Sequence, residues 1–360
     1  MERTTGIACR YAADALKEVA SALLLRSGLP AEKASVMASV LVEADLLGYA
    51  THGLQRLSSN LEWIVNGETR VDGVPTILAD NGACQTWDAD FLPGPWVTTL
   101  AVRDACNRAE AQGMAAISIR RVQHIACLAA YLGHATELGM MLVLSASTPS
   151  ETAVCAHGGI DRIFSCNPLT IGIPTSGTPI LIDTSASMSA LGPLFRAHHS
   201  GGKLPSKCIV TGEGAISDDP ADFVLGNGAI LPVGGLDQGY KGLGLCLFTE
   251  AISAALTGYG RADVSDDGEA NSVYVQAINP DAFAGRAAFL RQMDWLADAC
   301  RESRVAPGEP PVRVPGDRAL AMKRDQMANG VVLHSSIVTS MQSWAQRLGV
   351  QMPEAIIHDA

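Results

Sequence analysis

Gly48-Tyr49-Ala50-Thr51-His52-Gly53-Leu54-Gln55-Arg56 is the stretch on which the reading of this 360-residue chain turns. A run of helical character, residues 31–47, breaks at Gly48 just before it. Another follows, with Leu54, Leu57, Leu61, Ile64 and Val65 at helical spacing until Asn66-Gly67 ends it. This pattern predicts Thr51 as the N-cap of the second helix, with His52 in its first turn and Arg56 one turn later. Residues four apart share a helix face, their Cβ atoms about 5–6 Å apart, so an imidazole and a guanidinium would look the same way. The pair suits an α-keto or α-hydroxy acid: Arg56 can grip a carboxylate through two hydrogen bonds while His52 exchanges a proton with the adjacent oxygen. The positive end of the helix adds to the pull on an anion. The same spacing also fits a capped helix carrying only a surface salt bridge.

Outward from this stretch, Leu16, Val19, Ala20, Leu23 and Leu24 predict an amphipathic helix that stops at Gly28 and Pro30. From about residue 71 the texture changes to short β-rich runs, residues 115–119, 141–145, 169–173 and 180–183. These alternate with helices near 97–112 and 125–138. Residues 199–240 read as glycine-rich loops with one short strand, and residues 242–258 as a buried helix. Residues 272–278 supply one more strand that closes the sheet region. A helix over 284–304 places Ala288, Leu290, Trp295, Leu296 and Ala299 on core positions, and a final amphipathic helix spans 335–348. The expected architecture is α/β: a helical lobe built from residues 1–70 and 284–360 around a central α/β cofactor-binding domain, residues 71–283, with a mixed sheet.

Composition removes several classes. With 26 Lys+Arg against 37 Asp+Glu the net charge is −11, which argues against nucleic acid or an anionic membrane as partner. The 48% hydrophobic and 18% charged residues are enough for a substantial core. The 9 cysteines include no CxxC pair, so no zinc or redox-disulfide site is expected, and with no apolar leader in MERTTGIACR reduced cytoplasmic thiols are the default. No metal site is expected, and His198-His199 beside Gly201-Gly202 reads as an exposed loop. No dinucleotide fingerprint survives its context either. Gly226-Asn227-Gly228 runs into Pro232, and Gly212-Glu213-Gly214 sets a carboxylate where a pyrophosphate would sit.

Thr51-His52-Gly53 with Arg56 nevertheless resembles the Ser-His-Gly…Arg motif of the type-2 malate/L-lactate dehydrogenase family, which includes ureidoglycolate and sulfolactate dehydrogenases, diketogulonate reductase and cyclic ketimine reductases. The likeness continues in order along nearly the whole chain. His124-Ile125-Ala126-Cys127-Leu128 is similar to a His-Phe/Tyr-Gly/Ala segment, Asn167-Pro168 to a Gly-Thr-Asn-Pro turn, and Asp183-Thr184-Ser185 to an Asp-Met/Leu-Ala stretch. Pro232-Val233-Gly234-Gly235 through Gly239-Tyr240-Lys241-Gly242, and Pro315-Gly316-Asp317-Arg318, follow suit.

The resemblance implies a non-Rossmann fold of the malate/L-lactate (sulfolactate) dehydrogenase kind, NAD or NADP as cofactor, a small anionic substrate, and a homodimer with its active site near the interface. By the same resemblance His52 is the proton donor or acceptor and Arg56 holds the substrate carboxylate. His124 to Leu128, Asp183 to Ser185, Tyr240, Lys241 and Pro315 to Arg318 line the cofactor. The glycines at 239 and 242 would let backbone approach it, and Lys241 would meet a pyrophosphate or ribose.

Three departures bear on the substrate side. Thr51 replaces the serine before the histidine and keeps a hydroxyl. Cys166 stands where a substrate-contacting threonine is expected. Pro193 stands where the ketimine reductases have Asp and other members commonly Lys, so no relay through that position can form. Hydride transfer at the α-carbon of a keto or hydroxy acid is the leading reading. Reduction of a C=N bond and a degenerate dinucleotide-binding relative without turnover are the alternatives.

Overall fold

The structure, a computed structural model, describes residues 9–263, 268 and 270–356. Strand β1 (Cys9–Tyr11) leads into helices α1 (Ala13–Arg26), α2 (Ala31–Leu46) and α3 (Leu57–Val65), the last preceded by two 3-10 turns, Ala50–His52 and Leu54–Arg56. The centre follows as β2 (Thr76–Asp80), β3 (Cys84–Asp88), α4 (Gly94–Gln112), β4 (Met114–Val122), α5 (Leu132–Glu137) and β5 (Met141–Ser147). Next come β6 (Val154–Cys155), β7 (Arg162–Phe164), β8 (Pro168–Ile173), β9 (Ile180–Ser185), α6 (Leu191–His199), β10 (Ile209–Val210) and β11 (Ile216–Ser217). The chain continues through α7 (Ala221–Val224), β12 (Ala229–Ile230), α8 (Gly235–Ser253) and β13 (Asn271–Ile278). It ends with α9 (Arg286–Arg301), α10 (Asp317–Asn329), β14 (Val331–Leu333) and α11 (Ser335–Leu348).

The principal sheet runs β2-β3-β4-β13-β5-β8-β9, and a smaller one β11-β10-β12-β6-β7. Within the principal sheet only β3 and β4 pair in parallel among the described residues, and the other neighbours are antiparallel. A doubly wound nucleotide-binding sheet is parallel throughout its core, so the mixed α/β, non-Rossmann architecture expected from the sequence is the one formed. The strand at 271–278 sits at the middle of the sheet, between β4 and β5, rather than closing it.

Helix α1 buries Leu16, Val19, Ala20, Leu23 and Leu24, the residues its spacing singles out, against α2 and the sheet-side core. Leu41 and Leu61 are likewise fully enclosed; cutting such a side chain back to alanine costs roughly 2–5 kcal/mol. The chain ends meet on this layer. β1 pairs antiparallel with β14, and Trp344 of α11 donates its indole N–H to Ser58 Oγ at 2.9 Å. Gln326 of α10 donates to the carbonyls of Asp45 and Leu46 at the end of α2.

Several expectations are corrected. Helix α9 does not bury the predicted core residues: Trp295 is 69% exposed and Leu296 48%, and only Ala297 is buried, packing with Ile180 and Val314 beside β9. The 13-residue helix α10 was not anticipated, its polar sequence giving little periodicity. Residues 199–240 hold three short strands instead of one, and His198 and His199 lie in the last turn of α6. Strands β2 and β3 were also missed. The apolar run near 242–258 starts earlier, as α8, and is not buried: Leu236, Tyr240, Leu247 and Phe248 are at least half exposed. Among the described residues no helix is long and apolar enough to cross a membrane.

Candidate active site

Residues 48–56 do not begin a regular helix. The chain takes one 3-10 turn over Ala50–His52, is interrupted at Gly53, and takes a second over Leu54–Arg56 before α3 starts. Thr51 is therefore no N-cap, and its side chain makes no capping bond. Its Oγ1 instead lies 3.0 Å from His52 Nδ1, which holds the ring and leaves Nε2 to face outward. The cause of the break is Asp45, at the end of α2: Oδ2 accepts the Leu54 N–H at 2.7 Å, and a Cβ on Gly53 would stand 2.5 Å from the carboxyl carbon. Only glycine fits that approach.

His52 and Arg56 still come to one side, as the spacing requires. Burial pushes the His52 pKa down to about 4, and the charges of Arg56 and then Arg196 push the same way. His124, in the extended segment after β4, stacks on His52 with centroids 5.8 Å apart and planes 21° from parallel. Its Nδ1 accepts the Ala126 N–H at 3.1 Å, so Nε2 carries the proton of the neutral ring. Burial, with Arg56 and His52 adding, holds His124 well below the usual imidazole range.

The other expected segments gather behind this pair. Ile125 N donates to Asn271 Oδ1 of β13, and Ala126 takes a positive φ of 62°, which turns Cys127 and Leu128 inward. Cys127 feels the charge of Asp183 on β9, and Asp183 in turn raises the Tyr49 pKa, after burial. The Asp183 carboxyl itself makes no hydrogen bond among the described residues, and burial lifts its pKa to about 6. Thr184 and Ser185 complete this end of β9, Ser185 Oγ donating to the Ser187 carbonyl at 3.0 Å. Pro315 accepts from Leu181 N at 3.0 Å, and Gly316 fits directly against Leu181. Ala319 and Leu320 of α10 pack with Tyr49 and Cys127.

Two of the segments expected to line the cofactor make other contacts within the chain. Asp317 is bound to Arg301 at 2.8 Å and accepts the Val314 N–H, so its carboxylate serves the start of its own helix; Arg318 beside it is exposed. Tyr240 and Lys241 are exposed on α8, where Tyr240 meets His157 edge-on and Lys241 lies over the Tyr240 ring. The glycines at 239 and 242 make room for His157 and for the Val233 backbone, that is, for the helix's own lead-in turn.

Cys166 has its thiol 3.9 Å from the Ser189 carbonyl, and burial with the Glu151 charge pushes its pKa up to about 12. That turn leads into α6, whose Gly192 touches Thr51: a Cβ there would be 3.1 Å from Thr51 Cγ2. Pro193 is the third residue of α6, where the missing N–H would have no helical partner anyway. Arg196 is four residues after Gly192 and so shares the face that looks at Thr51 and His52. It is exposed, with no ion-pair partner among the described residues.

Arg196 and Asp45 are the residues that sequence reasoning missed. Asp45 had a signal, since it continues the buried stripe of Ala34, Ala38 and Leu41 on α2. Arg196 had none. Among the described residues no His/Cys/Asp/Glu cluster could hold a metal ion. Two concave regions, one lined by Ser58, Trp344 and Arg347 and one by Phe283, Phe289 and Met293, lie outside this group.

The fold, with the sequence relatives, puts the chain among the dehydrogenases and reductases outside the Rossmann class, that is, among the oxidoreductases. The chain belongs to the family described as Malate/L-lactate dehydrogenase, whose sequence pattern matches residues 11–342. It is 27% identical over 336 residues to the malate dehydrogenase of Pyrococcus abyssi, covering 91% of this chain and 92% of that one. It is also 27% identical to the Delta(1)-pyrroline-2-carboxylate reductase of Ancylobacter novellus, over 90% of this chain and 94% of that one. Among solved structures, the sulfolactate dehydrogenase of Methanocaldococcus jannaschii superposes with a TM-score of 0.84 at 26% identity, over 96% of this chain and 98% of that one.

Proposed function

We propose that this protein is an NAD- or NADP-dependent oxidoreductase that interconverts a small 2-oxo acid and the corresponding 2-hydroxy acid. The observation that carries the reading is the joint placement of His52 and Arg56 beside the His124 and Asp183 segments. A dinucleotide suits those segments. The unpartnered Asp183 carboxyl can accept ribose hydroxyls, His124 Nε2 can donate, and the close contact of Gly316 with Leu181 brings the Pro315 turn onto the same wall. A nicotinamide held by these residues would supply or accept the hydride.

The chain's own residues do the rest. Arg56 binds the substrate carboxylate and orients the carbonyl. His52, aligned by Thr51, delivers a proton from Nε2 to the carbonyl oxygen as the carbon receives the hydride, and takes it back in oxidation. Burial first, then Arg56 and Arg196, keep His52 neutral near pH 7, ready to accept. An anionic substrate that offsets Arg56 and Arg196 removes two of the causes that depress its pKa, so binding and protonation are coupled. Arg196 adds a second positive charge to the same pocket, which favours a 2-oxo acid with a further acidic group. The names of the malate and sulfolactate relatives agree with that preference.

Reduction of a cyclic C=N bond has the reductase from A. novellus in its favour, while Pro193 removes the polar group a relay would need. NADH and NADPH oxidation should be followed with 2-oxo monocarboxylates, 2-oxo dicarboxylates and cyclic imino acids. Turnover of a 2-oxo acid, lost about 10²–10⁴-fold in His52→Ala, is expected. Turnover confined to cyclic imines, or an undiminished His52→Ala enzyme, would overturn the reading.

The exposed apolar stripe of α8, Leu236, Tyr240 and Leu247, is the surface on which a second copy would form the homodimer, placing Tyr240 and Lys241 at the interface. Nine free cysteines, Cys106 and Cys155 among those buried, suit a reducing cytoplasm.

A further inference from the structure

We propose that Asp45 is a positioning residue for the His52 and Arg56 pair: its carboxyl, lying beneath Gly53, anchors from behind the loop that carries both side chains. The inference rests on reading that pair as the proton-exchanging and carboxylate-binding groups.

The geometry has three parts. Asp45 is 3% exposed at the end of α2, and its Oδ2 accepts from Leu54 N at 2.7 Å. That N–H opens the second 3-10 turn, so the carboxyl caps the helical segment on which Arg56 stands, from an element 9 residues away. Next, Gly53 lies directly on the carboxyl, which fixes the approach of His52 as well. Finally, Asp45 is itself held: its carbonyl accepts from Gly48 N at 2.9 Å and from Gln326 Nε2 at 2.8 Å. One side chain therefore touches the loop between the two working residues, and α10 holds the backbone from which that side chain projects.

The arrangement is sensitive to ionisation. Oδ1 is buried without a partner among the described residues, and burial lifts the Asp45 pKa to about 7 against the pull of the Leu54 bond. The titratable group facing it is Cys127, a thiol kept protonated by burial and by the charges of Asp183 and Asp45. Lys323 on α10 is paired with Glu43. An ionised carboxylate accepts a stronger, charge-assisted bond from Leu54 than the neutral acid does. The loop should be held more firmly above neutral pH than below it.

The test measures kcat/KM and KM for the 2-oxo acid across pH in wild type, Asp45→Asn, Asp45→Ala and Gly53→Ala, with His52→Ala and Asp183→Asn as controls. Asp45→Asn keeps an acceptor for Leu54 and should stay active while losing a rise in kcat/KM near pH 7 that Asp183→Asn retains. Asp45→Ala and Gly53→Ala should lose about 10²-fold in kcat/KM, the expected scale for an ångström-level misplacement, mostly as a higher KM. Should the alanine variant not fold, the pH profile of the asparagine variant decides. An Asp45→Asn profile identical to wild type, or Asp45→Ala and Gly53→Ala enzymes less heat-stable yet unchanged in kcat/KM, would overturn the proposal. An active His52→Ala enzyme would overturn the underlying reading, and the inference with it.

Discussion

Residues 48–56 and helix α8 are both punctuated by glycine, and they use it in opposite ways. In the loop, Gly53 gives way to a buried carboxyl, and the polar groups Thr51, His52 and Arg56 come to one side. In α8, Gly239 and Gly242 give way to His157 and the Val233 backbone, and Leu236, Tyr240, Leu247 and Phe248 turn outward. Glycine spacing thus reports close packing without saying against what. A charged partner underneath marks a loop whose shape has to be held, whereas a helix packed on its own lead-in is free to offer its far side as a surface.

The sharpest break of this comparison is at Arg56. Charge reversal, Arg56→Glu, should lower kcat/KM for a 2-oxo acid by at least about 10²-fold, since opposing a substrate charge at a desolvated site costs several kcal/mol. Steady-state kinetics beside Leu247→Glu, compared at protein concentrations that restore any assembly, would show whether the loop alone commands that loss.

Next comes stability against pH. The cost of burying the Asp45 charge outweighs the stronger Leu54 bond it makes, so its pKa is raised in the fold and its contribution to global stability is complete below the unfolded value and is lost as pH rises toward 7. His52, depressed to about 4, contributes above its unfolded value and loses that contribution as pH falls toward 4. Asp45→Asn removes the first of these opposing slopes. Its stability relative to wild type should grow between pH 4 and 7 by up to about 1.4 kcal/mol per pH unit; urea melts at three pH values would reveal a flat difference if Asp45 does not titrate there.

A smaller effect is expected at Arg196, which is exposed. Arg196→Ala should lose roughly tenfold in kcat/KM for 2-oxo acids with a second acidic group and little for monocarboxylates. Equal losses on both would remove it from the substrate pocket. Least damaging to the chemistry of each site is Leu247→Glu, for which light scattering should show the proposed dimer replaced by monomer while His52 and Arg56 remain intact. An unchanged mass would mean that the outward face of α8 is not the contact surface.

Much of this could be read before the structure, and the reasons are local. The α1 stripe Leu16 to Leu24 is periodic because one face is buried, and the central strands are apolar because both of their faces are covered. The nearness of His52 and Arg56 was legible because two successive 3-10 turns bring them to one side much as an α-helical turn would. The break between them was not, because it depends on Asp45, a tertiary partner. Helix α9 misled for the converse reason: its apolar residues Trp295 and Leu296 carry the expected spacing, but spacing cannot say whether another element covers them. Arg196 acquires its place only through the contact of α6 with Thr51, which nothing in its own neighbourhood announces.

The middle position of β13 has a consequence for synthesis. Until residues 271–278 leave the ribosome, β4 and β5 have no common neighbour, and the growing chain carries two half-sheets, β2-β3-β4 and β5-β8-β9, each with an unpaired apolar edge. Such edges recruit other strands, so the nascent protein is most exposed to aggregation just before its last quarter is made. A chain stopped at residue 270 should collect in the insoluble fraction, and supplying residues 271–360 as a separate fragment should rescue it by inserting the missing strand from outside.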